Sequence, residues 1–194
     1  MRILTLSILA LAMAGAAVAQ NSDLGLLAGV AHSSFAFENG RTTSEYRIGF
    51  QLNYAWQLLE RPAGRLYLEL PVIAPVGSFA LVGRGVSASS SARIFVTPGI
   101  RYQVNLQPRL ALYVAGGGGI AMKVQRSVFI SGINVSATSR TVTRAAAGFG
   151  GGVDFRLTRL LSLRGEVRDL ITSPQVGFGD WHNLSTQFGF ALHF

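Results

Sequence analysis

The chain has 194 residues, a formal net charge of +8, no cysteine, 23 glycines and 49% hydrophobic residues. It is long enough for one domain and excludes disulfides, thiolate chemistry and a lipid anchor on cysteine. Its arginines are spread along the chain instead of being clustered, which argues against a nucleic-acid surface despite the basic balance.

The chain opens as a targeting signal. Met1-Arg2 is a short positive start, Ile3 to Ala16 is apolar, and Ala17-Val18-Ala19 is a small-residue cleavage site. The apolar part is too short for the roughly 20 residues of a membrane helix. Residues 1–19 are therefore expected to be a cleaved signal peptide and 20–194 the folded domain. No apolar run after residue 19 reaches helical-span length, although the chain is hydrophobic throughout. That combination fits a transmembrane β-barrel, where lumen-facing and lipid-facing residues alternate.

The first strand is expected over about Leu24 to Phe35, followed by a turn at Glu38-Asn39-Gly40-Arg41. The second has the clearest pattern: Tyr46, Ile48, Phe50, Leu52, Tyr54, Trp56 and Leu58 alternate with Arg47, Gly49, Gln51, Asn53, Ala55 and Gln57. A helix would scatter these apolar side chains around its circumference, whereas a strand gathers them on one face. Glu60 to Arg65 is a polar turn. The third strand carries Leu66, Leu68, Leu70 and Val72 against Tyr67 and Glu69. Pro71 and Pro75 should end it early or bulge it, with a long loop over 74–91. The fourth alternates Ile94, Val96, Pro98, Ile100, Tyr102 and Val104 with Arg93, Thr97, Gly99, Arg101 and Gln103. After the turn at 105–108, the fifth places Leu110, Leu112, Val114, Ile120 and Met122 outward.

A second long loop, with Lys123, Arg126 and Arg140, is expected over 123–141. The sixth strand spans Val142 to Leu157 and sets Phe149, Val153, Phe155 and Leu157 against Arg144, Asp154 and Arg156. A three-residue turn at 158–160 leads to the seventh, where Leu161, Leu163 and Val167 alternate with Arg164, Glu166 and Arg168. A last loop over 171–183 includes Trp181, and Leu184 to Phe194 forms the eighth strand. The expectation is an all-β, eight-stranded antiparallel up-and-down barrel, with short periplasmic turns and long outer loops.

The charges set which face is inside. A basic residue facing lipid at mid-membrane costs roughly 2–4 kcal/mol, and a one-residue slip would turn Arg164, Glu166 and Arg168 outward. A lumen network is therefore expected from Arg47, Glu69, Arg93, Arg101, Arg144, Asp154, Arg156, Arg164, Glu166 and Arg168, with Asp154 opposite Arg164. Eight strands enclose only enough space for side chains to fill, and buried charges must be paired. Arginine, which binds carboxylates bidentately, suits such an interior. Tyr54, Trp56, Tyr102, Phe155 and Phe194 are expected at the periplasmic interface. Tyr46, Phe149 and Trp181 are expected at the outer one.

The Gly-rich runs at 116–119 and 148–152 lead into strands and lack a following Gly-Lys-Ser/Thr, so they do not read as phosphate loops. A serine hydrolase would need Ser185 with His182 or His193 and a carboxylate such as Asp180; His182 and Ser185 lie on opposite faces of a regular strand. No metal site is expected from the scattered histidines His32, His182 and His193, and no cofactor.

These residues resemble a known class. The alternating last strand closing on Phe188, Phe190 and Phe194 resembles the assembly signal of outer-membrane barrels. The stretch Gly148 to Leu170, GFGGGVDFRLTRLLSLRGEVRDL, is similar to the penultimate hairpin of the outer membrane protein beta-barrel domain family, of OmpA-like or OmpX-like type. The resemblance implies the outer membrane of a Gram-negative bacterium and insertion by the barrel-assembly machinery acting on the C-terminal strand. It also implies contact with outer-membrane lipid and lipopolysaccharide, and a monomer. The expected function is non-enzymatic: envelope structure, or surface binding and adhesion through the outer loops. A narrow pore and a lipid-modifying enzyme are the alternatives.

Overall fold

The structure is a computed structural model and describes residues 22–36, 42–82, 86–131, 134–172 and 182–194. Residues 1–19, the turn at 38–41, Asp180 and Trp181, on which sequence expectations were placed, lie outside the described residues. Nine strands appear: β1 (Ser22–Ala36), β2 (Thr42–Arg61), β3 (Gly64–Val82), β4 (Val86–Val96), β5 (Gly99–Gln107), β6 (Leu110–Ser131), β7 (Asn134–Arg156), β8 (Leu161–Thr172) and β9 (His182–His193). All neighbours are antiparallel, and β9 pairs with β1, closing the sheet into a barrel.

The barrel nevertheless has eight staves, because β4 and β5 are two halves of one. Both lie between β3 and β6, and the register with each neighbour is the same above and below the gap. The gap is Thr97-Pro98, opposite Leu70-Pro71 of β3. Neither proline can donate to the ladder, but their carbonyls still accept: Thr97 N–H bonds to Pro71 O at 3.4 Å and Gly118 N–H to Pro98 O at 3.1 Å. Of the two outcomes expected from Pro71 and Pro75, an early end or a bulge, the first is corrected and the second is seen just beyond Pro75. β3 runs on to Val82 with a register shift against β4 between Val76 and Phe79, and the interruption falls on the facing stave instead.

The two expected long loops are also largely strand. Residues 74–82 and 86–91 continue β3 and β4, and 123–131 and 134–141 continue β6 and β7 down to Ser131↔Asn134. Serines and threonines on β4 and β7, and Pro75 and Gly77 on β3, hid these extensions, since backbone pairing does not need an apolar face. β6 has 22 residues and β7 has 23, about twice the 9–11 that a tilted strand needs to cross a bilayer.

The two faces divide as the alternation requires. Outward lie Leu52, Tyr54, Trp56, Leu68, Leu70, Ile100, Val114, Phe149, Val153, Phe155, Leu163, Phe190 and Phe194, all well exposed, with Phe188 at 68%. An exposed apolar belt this extensive is unstable in water and is matched by a hydrocarbon surround. Inward, the outer half of the lumen holds an apolar cluster of Ile73, Phe95, Ala121, Ala146 and Leu170, with Val142 packed against it.

The Gly-rich runs of β6 and β7 face one another across the ladder, Gly117 opposite Gly148 and Tyr113 opposite Gly152. A Cβ on Gly152 would stand 2.4 Å from the Tyr113 hydroxyl oxygen. Glycine here makes room for the tyrosine ring inside a lumen that has none to spare.

Candidate functional site: the lumen and its two rims

The inner half of the lumen is a connected charge network. Arg164 on β8 grips Asp154 on β7 by both carboxylate oxygens, Nε at 2.7 Å and Nη2 at 2.8 Å. This geometry follows from the short β7–β8 turn, which places Asp154 directly opposite Arg164. Arg164 also reaches Asp23 on β1 at 3.2 Å, and Arg101 on β5 pairs with the same carboxylate. Arg101 lies 3.8 Å from Glu69, which pairs in turn with Arg168 on β8. Arg168 donates to Glu166 at 2.7 Å, and Glu166 also accepts from Gln51 at 3.0 Å and from the Tyr113 hydroxyl at 2.7 Å. Tyr67 and Tyr113 lie against the Arg101 guanidinium at 4.5 and 5.3 Å from their ring centroids, and Tyr113 is also 5.4 Å from Arg164.

The network thus draws Glu69, Arg101, Asp154, Arg164, Glu166 and Arg168 together. It adds Asp23, Gln51, Tyr67 and Tyr113, which the sequence reading had not included. Asp23 carried a usable signal: it shares the inward parity of Gly25 and Leu27 and stands just before the expected start of strand one. Arg47 and Arg93 are buried and Arg144 is half-buried, on the inward face of their strands. Arg93 donates to Asn183 at 2.8 Å, and none of the three is free of partners. Lys123, expected in a loop, is instead buried on β6.

Arg156 has the inward parity expected of it but not the expected place. It ends β7 at the inner rim, half-exposed, and makes no ion pair among the described residues. Around it the periplasmic turns are strongly basic. Arg65 pairs with Glu60 at 2.8 Å, and that hydrogen bond, with the charge behind it, holds the Glu60 carboxyl below its ordinary range. The hydroxyl of Thr158 accepts from the amides of Leu160 and Leu161 at 3.2 and 3.0 Å, shaping the turn that carries Arg159.

The interface aromatics point outward. The Tyr102 hydroxyl donates to Ala63 O at 3.0 Å, and the Tyr54 hydroxyl lies 3.2 Å from Ser22 Oγ. Both anchor their rings at the inner rim beside Trp56 and Phe155. At the outer rim Tyr46 stacks on His32 at 4.8 Å, and His182 pairs with Asp169 at 2.6 Å.

The serine and histidine candidates are kept apart. Ser185 is buried in the lumen and accepts from Gln187, while His182 is on the outer wall. His193 contacts Ser162, a residue with no exposed surface.

A closed antiparallel barrel with an apolar outer wall and a charged, filled lumen is an integral outer-membrane protein of the Gram-negative type. Residues 3–194 match the model of the outer membrane protein beta-barrel domain, and the chain belongs to that family. A search of curated proteins finds no match. Among solved structures it is similar to a major outer membrane protein of Thermus thermophilus, with 12% identity, a TM-score of 0.60, and coverage of 88% of this chain and 99% of that one. It is also similar to Neisserial surface protein A (12% identity, TM-score 0.51, 91% of this chain and 98% of that one). The attachment invasion locus protein Ail of Yersinia pestis, solved with a heparin analogue, gives 14% identity, a TM-score of 0.51, and coverage of 89% of this chain and 97% of that one. These likenesses concern the fold.

Proposed function

We propose that this protein is a non-enzymatic, non-conducting barrel that acts at the cell surface through the strands rising above its apolar band. The observation that carries the reading is the filling of the lumen. Three arginines and four carboxylates span its inner half, and Ile73, Phe95, Ala121, Ala146 and Leu170 pack across its outer half. Water and ions would have to cross both layers. Meanwhile β3, β4, β6 and β7 continue outward as one paired sheet, roughly 25–30 Å of strand beyond the membrane at about 3.3 Å per residue. A sheet extended that far contributes little to crossing the bilayer and offers a backbone-ordered surface to a partner.

Arg140, exposed on the β7 extension opposite Gln125, gives that extension a cation suited to anionic lipopolysaccharide or a sulfated polysaccharide. The binding of a heparin analogue by Ail is a parallel on the same fold. The terminal strand β9, closing on β1, serves as the segment read by the assembly machinery. Planar-bilayer recordings of the folded protein test the closed lumen: no discrete conductance steps are expected, and steady single-channel currents would replace this reading with a pore. Cells displaying the protein should bind heparin-coated surfaces, with binding reduced by R140Q; unchanged lipid A after overexpression is expected, and modified lipid A would establish an enzyme instead.

A further inference from the structure

The inner mouth of the barrel is a bowl of about 270 Å³, bounded by Gln57, Arg65, Arg156, Arg159, Leu160 and His193, with Asp23 and Tyr67 at its floor. That is the volume of roughly nine water molecules. Two turns separated by β1 and β9 supply its cations: Arg65 stands after the β2–β3 turn, Arg156 ends β7, and Arg159 sits in the β7–β8 turn. The nearby acids are already engaged. The Asp23 carboxylate is held from below by Arg101 and Arg164, and that of Glu60 by Arg65. Arg156 and Arg159 have no such partner among the described residues.

We infer that this bowl is a binding site for a phosphate-type oxyanion, gripped by the guanidiniums of Arg156 and Arg159 with Arg65 on the opposite wall. Planar, forked donors match tetrahedral oxyanions bidentately, and a partly enclosed bowl weakens the solvent screening that makes surface charge pairs feeble. Two structural points favour a site over a merely solvated rim. The turn bearing Arg159 is fixed by the Thr158 hydroxyl and by the bond from His193 N–H to Leu160 O at 2.8 Å, so its guanidinium is carried on an ordered frame. The floor is a finished ion-pair network, so an anion entering the bowl does not compete for buried partners. The same chemistry has two sources: a free periplasmic phosphate, or the headgroup of an anionic phospholipid reaching over the apolar lip formed by Leu160 and Phe194.

The test uses the whole folded protein and follows signals present in every variant, the Arg65 Nε–Hε resonance and the backbone amides of Leu160 and Leu161. In maltoside micelles, sodium phosphate is titrated against sodium chloride at equal ionic strength. In parallel, nanodiscs of phosphatidylcholine are compared with nanodiscs containing phosphatidylglycerol. Saturable shifts with inorganic phosphate identify a soluble ligand, and shifts confined to phosphatidylglycerol discs identify a lipid headgroup. R156Q/R159Q should weaken either response about tenfold, the scale of one charge-assisted hydrogen bond. R159Q alone, on an exposed turn, should weaken it by a smaller factor while keeping the heat-dependent gel shift of a folded barrel. Shifts that follow chloride and phosphate equally, with no response to phosphatidylglycerol, or undiminished binding by both variants, would overturn the assignment.

Discussion

The Arg164–Asp154 pair is the sharpest place to test the energetics of the lumen. Arg164 is 1% exposed and holds Asp154 through two bonds of 2.7 and 2.8 Å, while also reaching Asp23 at 3.2 Å. Replacing it with leucine leaves the two carboxylates in unequal positions. Asp23 retains Arg101. Asp154 loses its one ion-pair partner among the described residues. Breaking a buried pair from one side costs about 3–5 kcal/mol, because the survivor is left charged and dry. Removing both partners is much milder, since the desolvation cost disappears with the charge. Arg164→Leu should therefore destabilise the barrel by about 3–5 kcal/mol, and the double variant Arg164→Leu/Asp154→Leu by at least about 2 kcal/mol less than the sum of the two singles. Urea unfolding from lipid vesicles, followed by tryptophan fluorescence and by the heat-dependent gel shift, measures both quantities. A single-variant cost below about 1 kcal/mol, or strict additivity in the cycle, would refute the claim that this pair is a coupled, desolvated unit.

Other consequences follow from particular contacts. Gly152→Ala would place a methyl group 2.3 Å from the Gly165 carbonyl oxygen and 2.4 Å from the Tyr113 hydroxyl, displacing the bond to Glu166; a loss of about 1–3 kcal/mol is expected in the same unfolding assay, and it should persist in Gly152→Ala/Tyr113→Ala because the backbone clash remains. Deleting Phe194 removes the reciprocal backbone bonds with Ser22, at 2.8 and 3.0 Å, that complete the seam between β9 and β1. The folded, heat-shifting band in the outer-membrane fraction should fall severalfold, whereas a truncation that leaves it unchanged would deny the seam its role in assembly. The depressed Glu60 carboxyl stabilises the folded state at pH values above the ordinary carboxylate range, and the benefit is lost as pH falls through its lowered folded value. Arg65→Gln should return the Glu60 titration, read by NMR, to the ordinary range, with little change in unfolding because the pair is exposed.

Alternation alone determined the parity of nearly every membrane-facing strand. Tyr46 to Leu58 could be assigned an outer face and Arg164 to Arg168 an inner one, because a residue-by-residue period of two admits only two choices and the membrane makes one of them expensive. The Asp154–Arg164 pairing could be read for the same reason, since a short turn fixes register across a hairpin. What lay beyond the sequence depended on non-neighbouring staves. Local parity marks Asp23 as inward, but it meets Arg101 and Arg164 only because the barrel closes and brings β1, β5 and β8 to one level, so its partners have no local signature. The split of the fourth stave likewise arises from Pro98 and Pro71 falling one position apart across the ladder, Pro98 beside Leu70 and Pro71 beside Thr97, a juxtaposition that neither segment announces alone. The outer halves of β4 and β7 are rich in serine and threonine, and that of β3 carries Pro75 and Gly77; with the outer half of β6 they are strands because they hydrogen-bond to one another, a property of the assembled sheet. Finally, Arg156 and Arg164 share a face in the sequence, but depth along the barrel axis separates them. One is locked into a dry ion pair, and the other stands at the mouth, open to an anion from the periplasm.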